Sequence, residues 1–208
     1  MLPDPSGLRV VDLGCGFGWF CRWARRHRAA EVLGLDVSEN MLARAQAETT
    51  DPAIRYLRAD LEHLTLPSAA FDLAYSSLAL HYIRNLPGLL AVSRDAVVPG
   101  GHLVFSVEHP VYTAPSHPVW VPGPGGDRVW PLDRYLSEGP RRTDWLAKGV
   151  IKQHRTVANY LNALVAHGFA IAHVEEWGPD KAQIAAHPEW EIERHRPFFL
   201  LVSARRAA

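Results

Sequence analysis

Three groups of residues in this chain could do chemistry. The first is Val11-Asp12-Leu13-Gly14-Cys15-Gly16-Phe17-Gly18, whose alternating glycines let a backbone turn tightly and approach a ligand closely. The second is Asp36, 18 residues past Gly18, where a carboxylate ending the next strand is placed to accept from both hydroxyls of an adenosine ribose. The third is the imidazoles His81 and His154, whose ordinary pKa of about 6.5 suits proton removal. Glycines after a strand can also serve only a tight turn, and a carboxylate there can simply cap Ser38 and its successors. Together they point to an adenosine ligand. A pyrophosphate wants G-x-G-x-x-G, whereas this chain has G-x-G-x-G and puts Asp12 two residues ahead of Gly14. That carboxylate repels a pyrophosphate and favours a ligand carrying an ammonium group, so a cationic, amino-acid-like part is expected.

These residues need a scaffold that gathers strand ends, and the apolar pattern supplies one. Leu8 to Leu13 reads as a strand, Trp19 to Arg28 as a helix and Glu31 to Asp36 as a strand. Ser38 is an N-cap for a helix with Met41, Leu42 and Ala45 on one face, and Asp51-Pro52 ends it before the strand Ile54 to Ala59. Phe71 to Ser76 reads as a strand and Pro87 to Val97 as a helix, followed by a turn at Pro99-Gly100-Gly101 and the strand His102 to Val107. Right-handed crossovers between five such strands give an α/β, doubly wound sheet with helices on both faces. Residues 110 to 140 hold seven prolines yet carry Tyr112, Trp120, Trp130 and Tyr135. Large rings need somewhere to pack, so this is expected to be an ordered insertion, at about 109–150, in a single domain spanning 1–208. Thr156 to Ala166 then reads as a helix, Phe169 to Trp177 as a strand, Asp180 to Arg196 as helical pieces broken at Pro188, and Phe198 to Ala204 as the last strand.

Composition removes several classes of partner. The 22 basic and 22 acidic side chains cancel, and Arg25-Arg26-His27-Arg28 is a single turn rather than a stripe, so no nucleic acid is expected. No apolar run reaches the ~20 residues of a membrane helix and no signal-peptide pattern opens the chain, which predicts a cytoplasmic protein with no membrane partner. The 11 histidines show no ligand spacing, and Cys15 and Cys21 do not suggest a disulfide staple, so no metal is expected.

The stretches VVDLGCGFGWF, VLGLDVSENMLARA, YLRADLEHL, FDLAYSSLALHYI and VVPGGHLVFS, in this order, resemble the class I, Rossmann-like S-adenosylmethionine-dependent methyltransferases over about residues 8 to 108. The likeness is nearest to their small-molecule branch, and QHRTVANYLNALVAHGF and the terminal FFLLVSARR are similar to its last helix and last strand. It implies seven strands in the order 3-2-1-4-5-7-6, with strand 7 antiparallel. It also implies S-adenosyl-L-methionine as cofactor, with Gly14, Cys15, Gly16 and Gly18 against its methionine and ribose parts and Asp12 near the ammonium. Asp36 would hold the ribose, Val37 and Met41 would contact the adenine, and Asp60 would accept from its amino group. The backbone of Leu61 would meet the ring edge, and Ser76 would line the methionine arm. Met41 also stands at helical spacing with core residues, and Asp60 could cap a turn, so packing and capping remain open for them.

The implied reaction is methyl transfer to a small-molecule acceptor by in-line displacement, in which alignment can supply about 7 to 11 kcal/mol. Only some acceptors need a base; His81 and His154 are the candidates, with packing or capping as their other role. Glu108-His109 would orient substrate, while Tyr112, Trp120, Trp130, Tyr135 and Trp145 would wall the acceptor pocket and offer cation-favouring faces to the sulfonium. The acceptor is expected to be small and largely apolar, with one ionisable group. Most family members carry helices before the first strand, which here begins within ten residues of Met1. Either the cofactor is left partly uncovered or the insertion covers it. A non-catalytic cofactor-binding or partner-binding module is the alternative; a nicotinamide-dependent oxidoreductase fits the glycine spacing and Asp12 badly.

Overall fold

The computed structural model describes residues 1–145 and 147–207, the side chains of 144–148 excepted. Apolar runs ended by Gly, Asp, Ser or Pro form β1 (Arg9–Leu13), β2 (Glu31–Asp36), β3 (Ile54–Arg58), β4 (Phe71–Ser77) and β5 (Val97–Glu108). Between and after them lie α1 (Trp19–Arg26), α2 (Glu39–Ala47), α3 (Leu86–Ala96) and α4 (Pro110–Thr113). Two short pairs follow, β6 (Val121–Pro122) with β7 (Arg128–Val129) and β8 (Gly139–Trp145) with β9 (Ala147–His154). The chain closes with α5 (Val157–Ala166), β10 (Phe169–Trp177), α6 (Lys181–Ala186), a 3-10 stretch Pro188–His195 and β11 (Phe199–Arg206).

Seven strands form one sheet in the order β10-β11-β5-β4-β1-β2-β3, with β11 antiparallel to both neighbours. Counting only strands of this sheet, that is the expected 3-2-1-4-5-7-6. Alternation along β1 sends Val10 into a cluster with Phe20, Cys21 and Ala24 of α1, and Val11 and Leu13 into the opposite core with Leu89, Leu90 and Leu164. Asp12 therefore falls on the α1 side. Caps fix where helices begin: Ser38 Oγ accepts the Met41 N–H at 3.3 Å, Asn85 Oδ1 the Gly88 N–H, and Thr156 Oγ1 the Asn159 N–H.

Two expectations need correction. Pro99-Gly100-Gly101 does not precede a strand but interrupts one: Val97 already pairs with Phe71, the register shifts, and pairing resumes at His102 with Leu73. Gly100 takes up that excursion at φ 77°. The aromatic insertion is more regular than its prolines suggest and runs past 150, because β8 and β9 form a hairpin opposing Arg141 to Lys152 and Arg142 to Ile151 and ending at His154. Its polar, glycine-broken strands show little apolar alternation, which is the signal a sequence offers for a hairpin. No helix among the described residues is long and apolar enough to cross a membrane.

Candidate active site

At the carboxyl end of β1, the Gly14 and Cys15 N–H groups both donate to Leu35 O at 2.8 Å, hooking the glycine loop onto the end of β2. Gly14, at φ 81°, lies so close to Ala79 that a Cβ would collide with it, so the loop and the segment after β4 meet only because no side chain intervenes. The Gly16 N–H donates to Asp36 Oδ2 at 2.8 Å and the Ser38 N–H to Oδ1 at 2.9 Å. One carboxylate thus sets both the loop and the turn into α2.

A cleft of about 360 Å³ opens there, lined by Gly14, Gly16, Asp36, Val37, Met41, Asp60 and Leu61. Val37 is 59% and Met41 42% exposed, so Met41 belongs to the cleft rim rather than the core. Asp60 Oδ1 accepts the Glu62 N–H at 3.0 Å, capping the turn that buries Leu61. The far wall is Ser77, Leu78, Ala79, Tyr82 and Ile83. Sequence reasoning missed these, although they stand in the FDLAYSSLALHYI stretch that it singled out.

Asp12, Cys15, Gly18 and Ser76 do not line the cleft; they stand behind it. Asp12 is 2% exposed, its Oδ2 accepts from the Cys21 thiol at 3.3 Å, and burial pushes its carboxyl up to about 7. The Cys15 side chain is buried, Gly18 ends the loop as the α1 N-cap against the Tyr56 ring, and Ser76 Oγ donates to Leu13 O at 2.7 Å, tying β4 to β1.

The histidines differ most from expectation. His81 lies in the single turn Leu80–Tyr82, is 1% exposed, and accepts the Glu108 N–H on Nδ1 at 3.4 Å. Burial first, then Lys152 and Arg155, push its pKa down to about 3. His154 is buried with both nitrogens engaged: Nε2 donates to Tyr135 O at 2.8 Å, which leaves Nδ1 to accept the Thr113 hydroxyl at 2.8 Å. Burial lowers its pKa as well. His109 accepts the Val111 N–H on Nδ1 and so donates from Nε2 to Glu176 at 2.9 Å. None of these three rings offers a free, basic nitrogen, because burial and fixed partners have used them as neutral struts.

A second cavity, of about 440 Å³, lies under the insertion between Glu108, Tyr112, Thr113 and Pro118 on one side and Arg134, Arg141, Arg142 and Lys152 on the other. Lys152 Nζ donates to Glu108 Oε1 at 2.6 Å, with both side chains almost fully buried. The Leu80–Tyr82 turn stands between the two spaces: Tyr82 lines the first, and His81 holds the backbone of Glu108, which lines the second.

The lining mixes four basic side chains with the apolar surface of Tyr112, Pro115, Pro118 and Pro140, and the other aromatic residues stand elsewhere. Tyr112, Trp120, Trp130 and Phe198 surround the buried guanidinium of Arg196 at 4.7, 5.2, 4.1 and 5.0 Å from their ring centres. Their cation-favouring faces are filled by the chain's own arginine. Tyr135 stands against His154, and the side chain of Trp145 lies outside the described residues. No group of three His, Cys, Asp or Glu able to hold a metal occurs among the described residues.

Residues 11–105 match the methyltransferase domain family. The crystal structure of an S-adenosylmethionine-dependent methyltransferase of Mesorhizobium loti is 63% identical, with a TM-score of 0.96, over 99% of this chain and 94% of that one. An uncharacterized protein of Haemophilus influenzae is 34% identical over 218 residues, 99% of this chain and 84% of its own length. A malonyl-[acyl-carrier protein] O-methyltransferase of Pectobacterium atrosepticum is 39% identical over 106 residues, so the match spans 51% of this chain and 41% of that protein. The chain therefore belongs to the S-adenosylmethionine-dependent methyltransferases and takes S-adenosyl-L-methionine as its cofactor.

Proposed function

We propose that the chain moves the methyl group of S-adenosyl-L-methionine onto a small-molecule acceptor by in-line displacement. In this reading the cofactor occupies the cleft from Gly14 to Ile83, and the acceptor occupies the cavity beside Glu108. The observation that carries it is Asp36. A carboxylate offers about four acceptor positions, of which Gly16 and Ser38 fill two, leaving positions suited to the two hydroxyls of a ribose. The remaining walls fit adenosine in kind: exposed Val37 and Met41 present apolar surface to a purine, Leu61 closes its edge, and Asp60 has Oδ2 left for an amino group. Gly14 and Gly16 approach the ribose and methionine parts. Asp12, behind the loop and about half ionised near pH 7, acts on the ammonium through the field of its ionised form rather than by contact, while Cys15, Gly18 and Ser76 hold the loop's shape.

When bound, the cofactor supplies a methyl group activated by a sulfonium. The chain's own part is alignment and exclusion of water, with alignment worth about 7 to 11 kcal/mol. His81 and His154 keep the Leu80–Tyr82 turn and the β9 end in place and stay neutral near pH 7. To test this, the chain is incubated with methyl-labelled cofactor and a library of small acids, phenols and amines, and label is counted in small-molecule, protein and nucleic-acid fractions. Label in the small-molecule fraction, lost in Asp36→Ala, is expected; label confined to protein or nucleic acid contradicts a small-molecule acceptor.

A further inference from the structure

We infer that the acceptor is a hydroxyl-bearing acid, held by its anionic group at Arg134, Arg141 and Arg142 and presenting its hydroxyl to Glu108. This rests on the assignment of the two spaces proposed above and names the substrate class of the second. Its walls carry four cations, Arg134, Arg141, Arg142 and Lys152, against the single carboxylate of Glu108. Lys152 is committed to that carboxylate at 2.6 Å. The three arginines form no ion pair among the described residues: the Arg141 guanidinium donates to the carbonyls of Ala114, Arg134, Ser137 and Pro140, and Asp133, which accepts the Ser116 N–H and hydroxyl at 2.8 and 2.7 Å, offsets only part of the charge of Arg134 and Arg141 through space. Carbonyl groups satisfy donors without cancelling charge, so the cavity keeps a field that favours an anion.

A second, independent observation fixes the other end of the ligand. Glu108 is 5% exposed; Lys152 occupies Oε1, and Oε2 is buried with no hydrogen-bond partner. A buried acceptor without a donor costs stability, and a ligand O–H in the cavity supplies the donor. An ammonium would also donate, but the excess of positive charge opposes it, which leaves a neutral hydroxyl. Glu108 is also tied to the cofactor cleft, since its backbone N–H is bonded to His81 in the turn whose Tyr82 lines that cleft.

The step then balances with groups already present. The acceptor oxygen bonds to the methyl carbon as the carbon–sulfur bond breaks with its electron pair going to sulfur, and the hydroxyl proton passes to Glu108 Oε2. The product is a methyl ether of the acid. Glu108 is thus the catalytic residue in place of the histidines.

The test uses the full chain saturated with S-adenosylhomocysteine, titrated calorimetrically with 4-hydroxyphenylacetate, 4-hydroxyphenyl phosphate, the methyl ester of the first, phenylacetate and tyramine. Hydroxy acids are expected to bind about tenfold or more tighter than the ester, tyramine not to bind, and Arg142→Ala to erase the preference without changing the affinity for S-adenosylhomocysteine. The acetate and phosphate arms tell a carboxylate ligand from a phosphate. With S-adenosylmethionine as donor, Glu108→Gln is expected to lower ether formation about 100-fold or more at nearly unchanged KM. Arg142 is exposed, so Arg142→Ala is expected to fold and reads the anion site even where Glu108→Gln does not fold. Equal binding of acid and ester, or full turnover in Glu108→Gln, overturns the inference while leaving the cofactor reading intact. Failure of S-adenosylhomocysteine itself to bind overturns both.

Discussion

The Cys21 thiol donates to the buried Asp12 carboxylate at 3.3 Å, behind the loop that carries Gly14 and Gly16. A thiol is a weak donor, so burial dominates and lifts the Asp12 carboxyl from 3.8 to about 7. The folded state then binds a proton that the unfolded chain has released. The stabilisation is present below about pH 4 and is lost as pH rises through about 7. Asp12→Asn is neutral at every pH, so relative to wild type it should gain stability between pH 5 and pH 8. Urea unfolding at the two values checks this; an equal difference at both contradicts the raised pKa.

His81 has the opposite sign. Its folded pKa of about 3 lies below the ordinary 6.5, so its contribution is present above about pH 6.5 and lost as pH falls towards 3. Burial lowers His109 and His154 in the same direction. His81→Asn should therefore lose less stability than wild type between pH 7 and pH 5, and rate profiles of the wild type should lack a limb that titrates with His81 near 6.5. An imidazole carbon proton of His81 shifting with a midpoint near 6.5 in an NMR titration would refute this.

Arg196, paired with Glu193 at 2.9 Å, fastens the insertion to the C-terminal segment through three of its rings, Tyr112, Trp120 and Trp130. A desolvated cation over aromatic faces is worth about 2 kcal/mol, and Arg196→Met keeps the length while removing the charge. Hydrogen exchange should quicken at Tyr112 to Trp130 in this variant while amides of β1, β4 and β5 stay protected. Unchanged exchange in the insertion would show that the cage does not hold it.

The Lys152–Glu108 pair is buried, and removing one partner strands the other. Lys152→Met should cost about 3–5 kcal/mol in unfolding free energy, with much of the loss recovered when Glu108→Leu is added. A double variant no more stable than the single one would contradict an ion pair at this position.

The placement of the glycine loop and Asp36 was legible because it is local: glycines at positive φ follow one strand, and the carboxylate ends the next. The strand and helix alternation was legible for the same reason. The cavity was not, since Lys152 meets Glu108 across 44 residues and the arginines sit in a hairpin whose polar strands carry little alternation. For His81 and His154 the sequence leaves a base and a packing role both open, because it shows the ordinary imidazole, and burial favours the packing role. Aromatic residues 112 to 130 were rightly expected to pack, but their partner Arg196 lies far along the chain and announced itself by nothing in its own neighbourhood.

The most direct measurement is calorimetric titration of the chain with S-adenosylmethionine and S-adenosylhomocysteine, with NADH as control and Asp36→Ala beside the wild type. Binding in the micromolar range, about −7 to −8 kcal/mol, lost in the variant and absent for NADH, is the predicted result. A folded wild type that binds neither compound, or an Asp36→Ala that binds both as tightly, would contradict the placement of the cofactor in the cleft that Asp36 organises.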